Sequence, residues 1–388
     1  MQTKKTSPRA IRIKPNENIC FPIGTVIALK EFFHTLELEN IFRKHKQKGR
    51  DLSSLTKALV SYKLTENLSI SKASKWINRS PILELFELVS FEDKTLYRAL
   101  DIIGENREEI MFDVQSCLFN RFDFEHTDVN IDWSSLILWG KRTKIGKRGY
   151  SRDHRPDKKQ LTFGVTELSH PINIPIGLTV QPGNIHDSDH FLHTFDQVKN
   201  WLKPGSRIVM DKGAYSKENL DYIRFHSMRF LTAKKLNKSH DKLIKKFDLA
   251  RTELVNEKDS VYGIKLEWPS RTDYFYFSEK LEHEQLESKI RKAEKLFLQA
   301  KDMQDIIDNN KKIPKRYQIN NPLVDAKIVF QTKLTELTDD EALELAKKAA
   351  INGREGFFCL TSSDNLTLKE ALETYRMKDS ILTLRDVV

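Results

Sequence analysis

The chain has little cysteine and no long apolar run. Its three cysteines, Cys20, Cys117 and Cys359, are far apart and lack CxxC spacing. The pattern therefore supports neither a zinc site nor a disulfide framework, and free thiols in a reducing cytoplasm fit it better. Because no stretch of about 20 apolar residues occurs, the sequence predicts no membrane span. The first residues lack the apolar segment of a secretion signal.

Positive charge is abundant instead. The 388 residues include 65 Lys and Arg against 55 Asp and Glu, a net charge of +10. A basic surface attracts polyanions, of which nucleic acid is the usual one, although a basic balance can also serve solubility alone. The length suggests two or three domains.

The N-terminal third has a helical pattern. Residues 1–20 are predicted to be a disordered basic arm, and residues 21–124 a helical domain. Leu52, Leu55 and Leu59 share one helical face, Ser90 with Asp93 resembles a capping box, and Gly104 predicts a helix end. Short helices joined by short turns are compatible with a helix-turn-helix DNA-binding domain and equally with an ordinary helical bundle.

From residue 125 the pattern changes to strands and helices. Val129, Ile131 and Trp133 alternate with polar residues, which is the period-2 signal of a strand. Short apolar runs such as 208–210 and 356–361 predict further strands. Between them, at about residues 236–350, an inserted block has two hairpin strands and a long amphipathic helix. The sequence therefore predicts an α/β domain over residues 125–388.

Two aspartates stand in marked contexts within this domain. Asp132 lies inside the segment VNIDWSSLILWG, and Asp211 ends the apolar run of RIVMDKGAYS. Carboxylates held at strand ends in a basic chain suggest Mg²⁺-dependent chemistry on a phosphate backbone. Aspartates in such places also cap turns and helices, which is the commoner use of a single Asp.

The sequence resembles DDE-type insertion-sequence transposases of the IS-four-like group, which have an RNase H-like catalytic domain. The segments that carry the resemblance appear in the family's order from about Asp128 onward: IDWSS, GYSRDHRPDKKQLTFGV, IPIGLTVQPGNIHDSDHF, IVMDKGAYS, REGFFCLTS and ETYRMKDSI. The resemblance implies an RNase H-like core interrupted by the block at about 236–350, with the helical domain before it.

The resemblance also implies roles for individual residues. Asp132 and Asp211 match the first two catalytic acids and would hold Mg²⁺ or Mn²⁺. Arg152, His154 and Arg155 lie in a stretch close to the family's active site, and an Arg fork matches phosphate geometry. Lys212 is a further candidate DNA contact. Without the resemblance, this stretch is a charged loop turning at Pro156, and the segment GNIHDSDH is a turn stabilised by polar side chains.

The signature of the family's last helix is only partly present. Tyr375 fits its first position, and Lys378 stands where Arg is expected, so the charge is kept but the bidentate fork is lost. Leu382 stands where the third catalytic acid is expected, and the chain ends at Val388. From this departure we expect a truncated copy whose second metal site is weakened.

The reaction implied by the resemblance is phosphodiester hydrolysis at transposon ends followed by strand transfer into target DNA. The expected partners are duplex DNA, as terminal inverted repeats and as target, and a second copy of the chain on that DNA. The expected location is the cytoplasm, in association with the nucleoid. Two alternatives stay open: a non-catalytic DNA-binding remnant, and an RNase H-like nuclease that cuts without joining. Trp133, Trp139 and Trp201 are assigned to the core rather than to base stacking.

Overall fold

The computed structural model describes residues 24–46, 48–124, 127–140, 143–149, 155–169, 173–309 and 338–378. The chain divides between residues 125 and 126 into two compact units. The predicted basic arm at residues 1–20 lies outside the described residues, as do Arg152, His154 and Leu382. Over the described part of the chain, no helix is both long enough and apolar enough to cross a membrane.

The first unit is helical, as the sequence predicts. Its helices are α1 (Gly24–Thr35), α2 (Leu38–Arg43), α3 (Leu52–Thr65), α4 (Ile70–Ile77), α5 (Ser80–Leu85), α6 (Asp93–Glu105) and α7 (Arg107–Arg121). Leu52 and Leu55 are fully buried, and the Asp51 carboxylate caps α3 by accepting from the Ser54 backbone N–H at 2.9 Å. The apolar face predicted for α3 is therefore confirmed.

The helix end predicted at Gly104 is confirmed to within one residue, because α6 ends at Glu105 and α7 begins at Arg107. The predicted capping box is wrong. Ser90 does not cap this helix; its hydroxyl donates to Asn78 Oδ1 at 2.8 Å. The N-cap of α6 is Glu92, whose side chain makes no capping hydrogen bond.

The second unit is built on one nine-stranded sheet. The strands are β1 (Asp128–Leu138), β2 (Lys159–Leu168), β3 (Ile174–Pro182), β4 (Arg207–Met210), β5 (Arg229–Lys234), β6 (Glu253–Asn256), β7 (Val261–Trp268), β8 (Arg271–Ser278) and β9 (Phe357–Ser362). Their order is β3-β2-β1-β4-β5-β9-β8-β7-β6. Strand β1 pairs antiparallel with β2 and parallel with β4, and β4 pairs parallel with β5. The predicted α/β fold class is confirmed.

The strands of the predicted inserted block extend this same sheet. Strand β9 pairs antiparallel with β5 on one side and with β8 on the other, and β7 and β6 follow outward. The helices of this unit are α8 (Asp187–Val198), α9 (Lys217–Phe225), α10 (Lys238–Ile244), α11 (Glu279–Asp308), α12 (Asp339–Ala350) and α13 (Leu368–Met377). The strands of the block therefore continue the core sheet.

A buried polar network supports the middle of β1. The indole Nε1 of Trp133 donates to Thr194 Oγ1 at 3.2 Å, and Thr194 is 2.9 Å from Thr179 Oγ1. Thr179 in turn lies 2.9 Å from Nε2 of His190. Burial lowers the pKa of His190 to about 4, so the ring is neutral at pH 7. Since each group has a partner, the network fixes the strand segment that carries Asp132.

Candidate active site

The two aspartates occupy adjacent positions at the end of a parallel strand pair. The last paired residues of β1 and β4 are Ile131 and Met210, so the next residue on each strand is Asp132 and Asp211. Residues at corresponding positions of adjacent strands lie about 5 Å apart. Asp132 is only 4% exposed, and its neighbours Ile131 and Trp133 are buried. The sheet therefore brings both carboxylates to one edge on rigid backbone.

Tyr375 orients one of these carboxylates. It lies on α13, which begins at a capping box formed by Thr367 and Glu370, as the sequence predicts. Its hydroxyl donates to Asp211 Oδ1 at 3.0 Å. Lys378 is buried, with its Nζ 5.6 Å from the centre of the Tyr375 ring. Lys378 therefore packs against Tyr375 rather than presenting an exposed cation.

The turn after Asp211 is packed against a carboxylate that the sequence interpretation did not select. A Cβ added to Gly213 would lie 2.6 Å from Asp187 Oδ2, so the Asp187 side chain lies directly against this glycine. Asp187 begins α8, so the turn predicted for GNIHDSDH is confined to its first residues and Asp187–His190 are helical. The adjacent His186 and Asp187 were a signal for this position, but a pair of polar residues alone cannot distinguish a metal-binding segment from a turn that precedes a helix.

A basic cavity of about 740 Å³ opens beside Asp211. Six cationic side chains line it: Lys212, Lys234, Lys235, Lys280, Arg354 and Arg376. Several of them are neutralised by carboxylates; Lys234 is 3.1 Å from Asp273, and Arg376 is 3.0 Å from Asp259. Lys212 and Lys235, in contrast, are exposed and make no ion pair within the described residues. They are available to a phosphate that approaches Asp211.

The basic segment between β1 and β2 is held against the sheet at its start. A Cβ at Gly149 would lie 1.8 Å from the carbonyl oxygen of Gly183, so only glycine allows these two backbones to meet there. Beyond it, Arg152 and His154 lie outside the described residues. Arg155 forms a bidentate ion pair with Asp157, with N···O distances of 2.8 and 2.9 Å.

One tryptophan assignment is wrong. Trp133 is 1% exposed and belongs to the core, but Trp139 is 70% exposed. Trp139 follows the last residue of β1, and within the described part of the chain no helix or neighbouring strand covers it. The hydrophobicity of a tryptophan gives no information about where the sheet ends, which is why the sequence did not distinguish the two.

Among its described residues, the helical unit contains one cluster with metal-ligand chemistry. Ligand atoms of His45, Glu109 and Asp113 lie within 4.8 Å of one another. Lys44 Nζ is 2.8 Å from Glu109 Oε1 and also contacts Asp113. Because an ammonium group already contacts both carboxylates, we assign this cluster to ion pairing.

Comparison with known proteins gives a family match and a structural likeness. The family model described as a transposase DDE domain matches residues 124–375, well over half of the chain, and the match includes Asp132, Asp211 and Tyr375. Among solved structures, a piggyBac transposase synaptic complex with hairpin DNA is similar, with a TM-score of 0.39 and 12% identity over 93% of this chain and 67% of that chain. No curated protein matches the sequence.

Proposed function

Because the chain belongs to the transposase DDE domain family, we propose that its α/β unit cuts DNA at the ends of an insertion sequence and joins those ends to target DNA. The observation that supports this most directly is the pairing of β1 with β4, which brings Asp132 and Asp211 to adjacent positions. Both residues lie within the matched region. A nuclease that cuts without joining would use the same two carboxylates, so the assay must separate the two products.

The donor set suits a hard divalent cation. Asp132 and Asp211 would hold Mg²⁺ or Mn²⁺, since carboxylate oxygens are the ligands such ions prefer. When bound, the ion would stabilise the charge that develops on the phosphate and its leaving oxygen. The protein supplies the positions: β1 and β4 fix the two carboxylates, and Tyr375 fixes the orientation of Asp211. Lys212 and Lys235 would neutralise phosphates of the bound strand.

We assign the partners by the same reasoning. DNA would be bound as terminal inverted repeats and as target, with the helical unit contributing to end recognition, and two copies of the chain would act on one element. The net charge of +10 supports a polyanionic partner. Arg155 and Lys212 would contact DNA directly, and Lys378 would act through Tyr375. Arg152 and His154 remain proposed contacts from the sequence.

The test of the proposed function is a cleavage and strand-transfer assay on the element's own ends. Leu382 stands at the position that the family resemblance assigns to the third acid, and an aliphatic side chain offers no oxygen to the metal. We expect weak cleavage by the unmodified chain and at least tenfold faster cleavage by Leu382→Glu, with joined products. Cleavage without any joined product would favour the nuclease. Robust cleavage by the unmodified chain would show that another acidic residue takes the role of the third catalytic acid.

Replacing Tyr375 by phenylalanine is expected to weaken the site without unfolding it. The change removes the hydrogen bond to Asp211 Oδ1 and keeps the ring on which Lys378 packs. Groups that orient a metal ligand typically contribute 10- to 100-fold in metal affinity or activity, so we expect a loss of about tenfold in Mn²⁺ affinity. The measurement is Mn²⁺ titration, with Tyr262→Phe on β7 as the matched control. Unchanged affinity in Tyr375→Phe would contradict the role of this hydroxyl.

A further inference from the structure

Trp139 is a large aromatic side chain at a surface position that core packing does not explain. It is 70% exposed and follows directly after β1, so it contributes little to the core. Single exposed apolar residues are common on protein surfaces. What distinguishes Trp139 is the set of charged groups arranged around its ring.

Two cations lie over this indole. The guanidinium carbon of Arg155 and the Nζ of Lys158 are each 5.1 Å from the ring centre, within the range of a cation–π interaction. Asp157 holds Arg155 in place through two hydrogen bonds, which lower the pKa of the Asp157 carboxyl to about 2. The same carboxylate lies 3.9 Å from Lys158 Nζ, so the three charged groups together carry one net positive charge. Since most of the Trp139 surface stays exposed, the cations do not enclose the ring, and part of it is open to a ligand.

The position of this group relative to the two aspartates is defined by the strand. Trp139 is seven residues beyond Asp132 on the same chain segment, and β1 remains paired with β2 as far as Leu138 and Lys159. At about 3.3 Å per residue, the two positions are roughly 23 Å apart. Strand β4 ends beside Asp132, so the paired parts of β1 and β2 beyond Asp132 extend past the two carboxylates.

The chemistry of the group fits an unpaired strand better than a duplex. An aromatic face stacks on a base, and base–aromatic stacking combined with cations that follow the backbone is the usual mode of single-strand binding. In a duplex the bases stack on one another and are not available to Trp139. A phosphate contact alone would need the cations but not an exposed indole.

We propose that Trp139, Arg155 and Lys158 form a binding site for an unpaired DNA strand, with a base stacked on Trp139 and the adjacent phosphate held by the two cations. The proposal rests on the proposed function, because it takes DNA as the substrate. It adds that DNA near the reacting end is held with its strands separated, about 23 Å from the carboxylates by the spacing of β1.

The experiment measures the affinity of the full chain for a fluorescein-labelled 20-nucleotide single strand and for the matched duplex, by anisotropy at one fixed salt concentration. Stacking on one aromatic contributes about 1–3 kcal/mol per base, so Trp139→Ala is expected to weaken single-strand binding by about 5- to 150-fold. Duplex binding should change by less than about twofold. Trp139→Phe keeps a ring and should retain most of the single-strand affinity.

Trp268 provides the matched control. It is 52% exposed and has Arg271 5.9 Å from its ring centre, but it lies at the end of the β7–β8 hairpin, and β7 is the fifth strand from β1 in the sheet. Trp268→Ala should therefore leave single-strand binding unchanged. The proposal is overturned if Trp139→Ala binds the single strand normally, or if it loses affinity for single strand and duplex equally. If the unmodified chain binds neither form of DNA, the proposed function fails as well.

Discussion

Asparagine in place of Asp132 or Asp211 is expected to lower the rate of metal-dependent DNA cleavage by about a thousandfold or more. Asparagine has nearly the same shape as aspartate but lacks the charge, so the fold is retained while a hard cation loses an anionic ligand. Loss of metal-based charge stabilisation raises the barrier by several kcal/mol, and each 1.4 kcal/mol is about tenfold in rate. Metal affinity should fall in both variants.

The measurements are Mn²⁺ titration of each variant and cleavage of end DNA, the latter in the Leu382→Glu background so that a large loss can be quantified. Asp221→Asn is the control, because Asp221 lies on the surface of α9 and pairs only with Arg224 among the contacts described. It should behave like the parent. Normal metal binding by both Asp132→Asn and Asp211→Asn would place the metal site elsewhere in the chain.

The parts of this site that could be predicted from the sequence are those with local signals. Alternation in Val129, Ile131 and Trp133 predicts β1, and a short apolar run predicts β4, so each aspartate is located relative to its own strand. The capping box at Thr367 likewise predicts the start of α13. In each case the information lies within a few neighbouring residues.

The extension of the sheet could not be predicted in the same way. Thr272 on β8 pairs with Ser362 on β9, at a separation of 90 residues. No local pattern specifies which strand will lie beside another that far away, because the choice depends on the buried faces of the whole sheet. The inserted block therefore looks separate in sequence although its strands continue the core.

The burial and contacts of individual side chains could not be predicted from local sequence patterns either. Trp133 and Trp139 belong to the same strand segment, yet the first lies under α8 and the second has passed the end of the neighbouring strand. Similarly, the contact between Asp187 and Gly213 joins a helix start to a turn that follows a different strand. Such contacts depend on strand order, which the sequence pattern does not contain.

Replacing Arg207 by methionine is expected to destabilise the α/β unit by about 2–3 kcal/mol, less than the loss of one partner from a fully buried ion pair, because this group is only partly buried. Arg207 Nη1 is 2.8 Å from Asp128 Oδ1, and its Nε is 2.7 Å from Asp364 Oδ2. The three side chains are only 12–19% exposed. Methionine fills a similar volume but leaves two carboxylates without their shared cation.

This ion-pair group lies where β1 and β4 begin, at the ends of these strands opposite to the candidate site. Asp128 begins β1, Arg207 begins β4, and Asp364 lies between β9 and the helix that carries Tyr375. Amide hydrogen exchange at residues 208–210 measures the free energy of opening at this place. Arg251→Met removes an ion pair with an 87% exposed arginine and should change stability by less than about 1 kcal/mol.

The three-residue change Arg207→Met, Asp128→Asn and Asp364→Asn distinguishes the physical cause. If the loss in Arg207→Met comes from the two uncompensated carboxylates, neutralising both should restore much of the exchange protection at residues 208–210. If the loss comes from the packing of the arginine stem, the triple variant should be no better than the single one. If exchange protection is equal in Arg207→Met and the unmodified chain, the carboxylate of Asp364 is already compensated by Arg229, which lies 3.6 Å away. The same result would show that Asp128 needs no ion pair with Arg207 to hold β1 beside β4.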